Sequence, residues 1–388
     1  MKRLLSIIVV LSLVAVGPVI STVQAQTFKL IEDPLFRDHA RSAIDSLYNR
    51  NNEAARDILE PWRETFSDHP IWSLWDGMEL WWDILEDLTD RQNDEEFFHR
   101  MKKADYDAAQ VLRRESDHPD ALIIRAVANG YTARHHSNRG DWLTSVNIGR
   151  RAYQAYTRLM EVTPDLPDND FAEGMKRYYA AYLPENFPVV RAVSWFLPDG
   201  DKEGGLNSLR KASDHGIFAR PEATYFLGNI LLNYEGRTSE AAVYFRTLVE
   251  RYPNNGYYRR LYVRSLTQMR NYEEALKAAE EALAHWEELH PGERDVFHEE
   301  IYHWLGRAQY YSDLPEQALD SFTKSYEISS ELPNNKDREF RTLSAYFAGI
   351  AYESIDNKQE ARRYYEYVLN QRVGDEAKKR ARERLQSL

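Results

Sequence analysis

The chain has 388 residues, a formal net charge of −12 and no cysteine. This acidity disfavours nucleic acid and anionic lipid as the main partner, because the average field of the protein would repel either polyanion. The absence of cysteine excludes disulfides, thiolate metal sites and cysteine nucleophiles.

The N-terminus has the pattern of a secretory signal peptide. Lys2 and Arg3 precede an apolar run over residues 4–16, and the small residue Ala25 stands just before Gln26. A basic start, a short apolar segment and a small-residue cleavage site predict removal of residues 1–25. The protein is then exported, periplasmic or extracellular, with no membrane span after cleavage. An uncleaved membrane anchor is the alternative.

Helical periodicity runs from about Leu35 to the C-terminus, with no convincing alternating strand. Residues 26–167 are interpreted as degenerate helical repeats, including a tryptophan-rich helix from Trp72 to Leu85 that is expected in the core. Residues 168–219 form either a central helical insert or a further degenerate repeat. Residues 220–388 contain the clearest repeats and a C-terminal helix.

Small residues recur at regular intervals in the C-terminal half. Ala241, Ala275, Ala318 and Ala361 are 34, 43 and 43 residues apart, and Gly228, Val263, Gly306 and Gly349 precede them in step. Two such series indicate that one helix-pair unit is copied, and that its two helices cross where a bulky side chain would separate them. The pattern predicts an all-α array of helix-turn-helix repeats.

This pattern resembles the tetratricopeptide repeat (TPR) family over about residues 220–370. Its best stretch contains YFLGN at 225–229, EAAVYF at 240–245 and RYPNN at 251–255. One interval is 35 residues and two are 43, against the usual 34 of the family. The resemblance implies a right-handed TPR-type solenoid that binds a protein or peptide, with no cofactor.

In that family the first helix of each repeat carries ligand contacts on its inner, concave face. Placed on this chain, the family positions give a candidate groove of aromatic, amide and basic side chains: Tyr225, Asn229, Arg260, Arg264, His303, Trp304, Arg307, Tyr310 and Tyr346. Guanidinium groups suit bidentate recognition of carboxylate or phosphate. The alternative is that these arginines pair with acids of the adjacent helix.

No catalytic or metal-binding motif is convincing. His298 and His303 bracket two glutamates, but they are five residues apart, whereas the zinc-protease motif requires four. No glycine-rich phosphate loop and no serine-centred nucleophile elbow is present in the sequence. We therefore expect no enzyme activity, no catalytic residue, no metal and no cofactor.

The sequence thus predicts a non-enzymatic protein–protein interaction scaffold of the bacterial cell envelope, with a peptide or a partner helix in its concave groove. Two alternatives stay open: an envelope enzyme or enzyme subunit that acts on cell-wall material, and a purely architectural envelope component. The sequence assigns neither an oligomeric state nor a partner.

Overall fold

The computed structural model describes residues 28–186 and 200–388. The predicted signal peptide therefore lies outside the described residues. Those residues form seventeen α-helices, two short 3-10 turns and no strand, as the sequence predicted. No helix in the described ranges is long and apolar enough to cross a bilayer.

The helices are α1 (Pro34–Tyr48), α2 (Asn52–Thr65), α3 (Ile71–Glu86), α4 (Asp94–Arg114), α5 (Pro119–Asn138), α6 (Trp142–Val162), α7 (Asn169–Asn186), α8 (Lys202–His215), α9 (Arg220–Asn233), α10 (Thr238–Arg251), α11 (Gly256–Gln268), α12 (Tyr272–Leu289), α13 (Val296–Tyr311), α14 (Pro315–Glu331), α15 (Glu339–Ser354), α16 (Lys358–Leu369) and α17 (Asp375–Ser387). Consecutive helices pack as pairs along the chain. In the central segment α7 pairs with α8, and α8 packs on α9.

The same tight turn joins the two helices of many pairs. A residue with positive φ is followed directly by the N-cap of the second helix at Arg50-Asn51, Gly140-Asp141, Gly236-Arg237, Arg270-Asn271, Asp313-Leu314 and Asp356-Asn357. At four of these turns the capping side chain accepts a hydrogen bond from a backbone N–H of the first turn, which satisfies an otherwise unpaired donor. The turn occurs in both halves of the chain, so both halves share this local geometry.

The small-residue series marks close helix crossings, as predicted. A Cβ atom placed on Gly228 would lie 3.0 Å from the Phe245 ring. At Gly306 the corresponding distance to Phe322 is 2.7 Å. The alanines of the second series, Ala241, Ala275, Ala318 and Ala361, have no exposed surface. Glycine thus lets an aromatic ring of the second helix lie directly against the backbone of the first.

Replacing Gly306 with alanine is expected to destabilise the protein by about 1–2 kcal/mol. The fully buried Phe322 ring has little room to move, so the overpacking cost exceeds the gain in helix propensity, which is at most about 1 kcal/mol. Gly130 in α5 is the matched control, because a Cβ atom there meets nothing within 4 Å and Gly130→Ala should stabilise. Urea unfolding measures both variants. An equal gain in stability for the two would contradict the close crossing.

The chain also folds back on itself, which a simple solenoid does not do. Repeat arrays contact mainly their nearest neighbours, yet α1 contacts the start of α9 and the loop before α11. The Asp45 carboxylate pairs with Arg220 at 2.9 Å and accepts a hydrogen bond from the Tyr252 hydroxyl at 2.6 Å. Asn255 donates to the Tyr48 carbonyl oxygen at 2.7 Å. The N-terminal helices therefore cover part of the C-terminal repeats.

Candidate functional site

The centre of this internal interface is the carboxylate of Glu222 at the start of α9. The hydroxyls of Tyr48 and Tyr131 each donate to it at 2.8 Å, and Arg134 approaches at 3.3 Å. The Arg134 guanidinium also lies 4.6 Å from the centre of the Tyr225 ring. Tyr225, a predicted groove residue, is 7% exposed and packs inside this cluster.

A second set of buried ion pairs lies at the far side of the interface. Arg260 pairs with Glu300 at 3.1 Å and donates to backbone carbonyl oxygens of Leu85 and Glu86 at the end of α3. Arg338, just before α15, pairs with Glu299 at 2.8 Å and with Asp87. Arg260 was expected in the groove, but the structure gives it the alternative role, because it pairs with an acid of a neighbouring helix.

Two further groove candidates are internal. His303 is 1% exposed, and its Nδ1 atom lies 2.9 Å from the Ser344 hydroxyl. Tyr346 is 6% exposed and packs near the Tyr365 ring. His298 contacts its own helix cap, Asp295, at 2.9 Å. The two histidines therefore have separate structural partners.

Burial of His303 predicts a loss of stability in mild acid. Burial and, secondarily, the charge of Arg307 lower the pKa of His303 well below its ordinary value. Below about pH 6.5 the unfolded chain then takes up a proton that the folded protein does not, so the free energy of unfolding falls by up to about 1.4 kcal/mol per pH unit. His303→Gln should flatten this slope, whereas replacing the exposed His99 should not. Urea unfolding from pH 7 to pH 5 measures the effect.

Four of the remaining predicted residues, together with Asn233, form a partly exposed site on the C-terminal halves of α9, α11 and α13. Its centre is the indole of Trp304, with Arg264 at 5.8 Å and Arg307 at 4.8 Å from the ring centre. Arg264 donates to the side chain of Asn233 at 2.9 Å, and Asn233 donates to Asn229 at 2.8 Å. We call Asn229, Asn233, Arg264, Trp304 and Arg307 the arginine site.

The two arginines of this site have no acidic partner among residues 28–186 and 200–388. The Nε atoms of Arg264 and Arg307 are buried and make no hydrogen bond there. Burial lowers the pKa of Arg307, and the nearby charge of Arg264 lowers it further, while the Tyr311 hydroxyl acts in the opposite direction. Two adjacent positive charges on an aromatic surface are a geometry that a carboxylate or phosphate would stabilise.

Tyr310, the last predicted groove residue, is half-buried at the end of α13 and lies among the aromatic side chains around α15. The adjacent Tyr311 stacks on Tyr272 of α12 with ring centres 5.2 Å apart, which extends the aromatic surface beside Arg307. A cavity of about 320 Å³ lies elsewhere, between the end of α3 and the helices α11–α13, where Arg260 and Trp286 line it. No spacing in the sequence marks that cavity, because its walls come from segments far apart in the chain.

Neither a protein-family model nor a curated protein sequence matches this chain. The chain is similar to the solved structure of the MamA RS-1 ArsTM double mutant, with 18% identity over 50% of this chain and 93% of that chain and a TM-score of 0.34. For MamA 41-end from Desulfovibrio magneticus RS-1 the values are 18%, 50%, 93% and 0.33. For the human IFIT1 dimer with PPP-AAAA they are 15%, 87%, 94% and 0.35. The evidence for the helix-pair architecture is the packing of this protein's own consecutive helices.

Proposed function

We propose that the protein is a non-enzymatic interaction scaffold, exported to the bacterial cell envelope, that holds a carboxylate-bearing peptide segment at the arginine site. The observation that supports this most is the pair Arg264 and Arg307, which stack on Trp304 without an acidic partner among the described residues. Buried charge without compensation is unfavourable, so such a pair is suited to an anion from outside.

The site can recognise a peptide through three kinds of contact. The guanidinium groups of Arg264 and Arg307 bind a side-chain or terminal carboxylate. The amides of Asn229 and Asn233, one helical turn apart on α9, supply donors and acceptors for peptide backbone. The exposed Tyr311 beside Arg307 supplies the apolar surface, while Trp304, which is 6% exposed, supports the two guanidinium groups from beneath. Tyr225, Arg260, His303 and Tyr346 support the interior instead of contacting the ligand.

Binding is tested with an immobilised library of acidic peptides and with envelope extract as a source of native partners. The variant Arg264→Ala/Arg307→Ala should bind captured acidic peptides at least about 100-fold more weakly, because each of the two lost charge-assisted hydrogen bonds contributes about 1.5–3 kcal/mol. Its melting temperature should stay unchanged, since neither arginine pairs with a described acid.

The matched control is Arg362→Ala/Arg382→Ala, which removes the same charge from exposed positions on α16 and α17. An equal loss of binding in the control would mean that only net charge matters. A melting temperature lowered by several degrees in the site variant would assign Arg264 and Arg307 a structural role. Hydrolysis of cell-wall material by the purified protein would contradict the non-enzymatic assignment, and a periplasmic protein that does not begin at Gln26 would contradict cleavage there.

A further inference from the structure

Helix α6 has an apolar face that no other described element covers. Trp142, Leu143 and Val146 are 63%, 82% and 68% exposed, and Tyr153 is 41% exposed. At 100° per residue these four side chains occupy an arc of about 100° on one side of the helix. The buried residues of α6, Ala155 and Leu159, lie on the opposite side, so the exposed arc is not part of the core.

A line of arginines adjoins this apolar arc. Arg150, Arg151 and Arg158 are all exposed; Arg150 lies within the edge of the apolar arc, and Arg151 and Arg158 lie roughly 60° to 80° beyond it. Glu161 is the only acid within α6, and it pairs with Arg158. The same arginine also pairs with Asp117. Arg150 and Arg151 have no ion pair with any residue of the described ranges. This helix is therefore locally basic on a chain whose net charge is −12.

We propose that α6 attaches the protein to the surface of an anionic lipid bilayer. An exposed apolar stripe beside unpaired arginines is the pattern of a helix that lies in the plane of the membrane interface. Trp142, Leu143, Val146 and Tyr153 enter the boundary between headgroups and acyl chains. Arg150 and Arg151 reach the lipid phosphates with their long side chains.

The acidity of the whole chain does not prevent this contact. Charges more than about 10 Å away are largely screened at moderate ionic strength, so the groups on and next to α6 decide the interaction. Two acids beside α6 are already engaged: Asp141 caps α6 and lies 3.3 Å from His136, while Asp117 pairs with Arg158. A protein partner would need an apolar groove with acidic residues at a matching distance from it. An anionic bilayer presents apolar chains and negative phosphates side by side along its whole surface.

The test uses a dye on α6 itself, which is straightforward because the chain has no cysteine. The full chain with Asn147→Cys carries an environment-sensitive fluorophore at an exposed position beside the apolar arc. Vesicles of phosphatidylcholine with phosphatidylglycerol should shift its emission to the blue, and vesicles of phosphatidylcholine alone should not. A fluorophore at the exposed Gln359→Cys on α16 should not respond to either.

Two sets of substitutions in the labelled chain separate the contributions. Arg150→Gln/Arg151→Gln should weaken the vesicle response about thirtyfold, since each arginine near an anionic surface contributes about fivefold. Trp142→Ser/Leu143→Ser/Val146→Ser should abolish it while circular dichroism shows an unchanged helix content. Residues 4–16 are unchanged in these variants. Any lipid binding through that apolar run would therefore persist, and only the contribution of α6 would be lost.

Three results would overturn the proposal. One is an absent response at position 147 with anionic vesicles, and another is an equal response to neutral vesicles. The third is a blue shift without vesicles that grows with protein concentration, because it would assign the apolar face of α6 to a second copy of the chain. The substitutions Arg264→Ala/Arg307→Ala leave α6 untouched, so the vesicle response tests this surface independently of the arginine site.

Discussion

Replacing Glu222 with alanine is expected to lower the free energy of unfolding by roughly 3–5 kcal/mol. The Glu222 side chain, 12% exposed, accepts hydrogen bonds from Tyr48 and Tyr131 and pairs with Arg134. Arg134 lies among aromatic rings, including Trp81 and Tyr225, and no other carboxylate of the described residues pairs with it. The substitution therefore leaves the Arg134 charge without its carboxylate, and of the two hydroxyls, which lie 3.0 Å apart, one can still donate to the other while the second loses its acceptor.

Urea unfolding followed by circular dichroism measures this loss. Glu222→Gln keeps an acceptor for the hydroxyls but removes the charge, so it should destabilise less than alanine does. The control is Glu250→Ala, at an exposed position of α10, which should change the free energy of unfolding by no more than about 0.5 kcal/mol. If Glu222→Ala behaves like Glu250→Ala, the N-terminal helices are not held to α9 through this carboxylate.

Replacing Arg338 with methionine is expected to have an effect of similar size. The side chains of Arg338 and Glu299 are each 2% exposed, and Arg338 also pairs with Asp87 at the end of α3. Without Arg338, Glu299 keeps a buried charge whose remaining donors include the Ser329 hydroxyl. Breaking a buried pair from one side typically costs about 3–5 kcal/mol, and we expect a value in that range from urea unfolding.

The pH dependence and a double variant distinguish this mechanism from a simple loss of packing. Burial already raises the pKa of Glu299, against the charge of Arg338. In Arg338→Met the pKa rises further, so the folded state holds a proton that the unfolded chain releases, and stability is lost as the pH increases. The variant should therefore be least impaired near pH 5. Arg338→Met/Glu299→Gln should recover part of the loss, and an additive loss in the double variant would show that the pair is not coupled.

The sequence was sufficient for features that depend on local spacing. Glycine and alanine recur in step in the two helices of each repeat, which predicted a close crossing at Gly306. In the structure Gly306 lies against the aromatic ring of Phe322 in the next helix. Trp75 and Trp81 are buried, as expected for a helix whose apolar residues cover a broad face. Asp141 stands between a glycine and the first apolar residue of α6, where a capping aspartate is common, and its side chain accepts a hydrogen bond from the Thr144 N–H.

The candidate site was less predictable, because its surroundings are set by distant residues. Arg260 and Arg264 are one turn apart on α11, and the family pattern treats them alike. Arg260 faces the end of α3 and hydrogen-bonds there, whereas Arg264 lies in the partly exposed arginine site. Asp45 and Arg220 are 175 residues apart, and no local periodicity indicates that they meet. The resemblance to a repeat family predicts which residues lie on the inner face of the repeats. It does not predict that the N-terminal helices cover part of that face.

The contacts between the N-terminal helices and the repeats constrain how this protein can change during evolution. Repeat arrays usually gain or lose whole units without harm, because every junction is equivalent. Here Asp45 contacts Arg220 near the first clear repeat, and Asp87 contacts Arg338 at the entrance to the last. Insertion or deletion of a unit between those anchors would move one of them away from its partner. These two contacts therefore constrain the number of repeats between α9 and α15, whereas units added beyond α15 would leave both contacts in place.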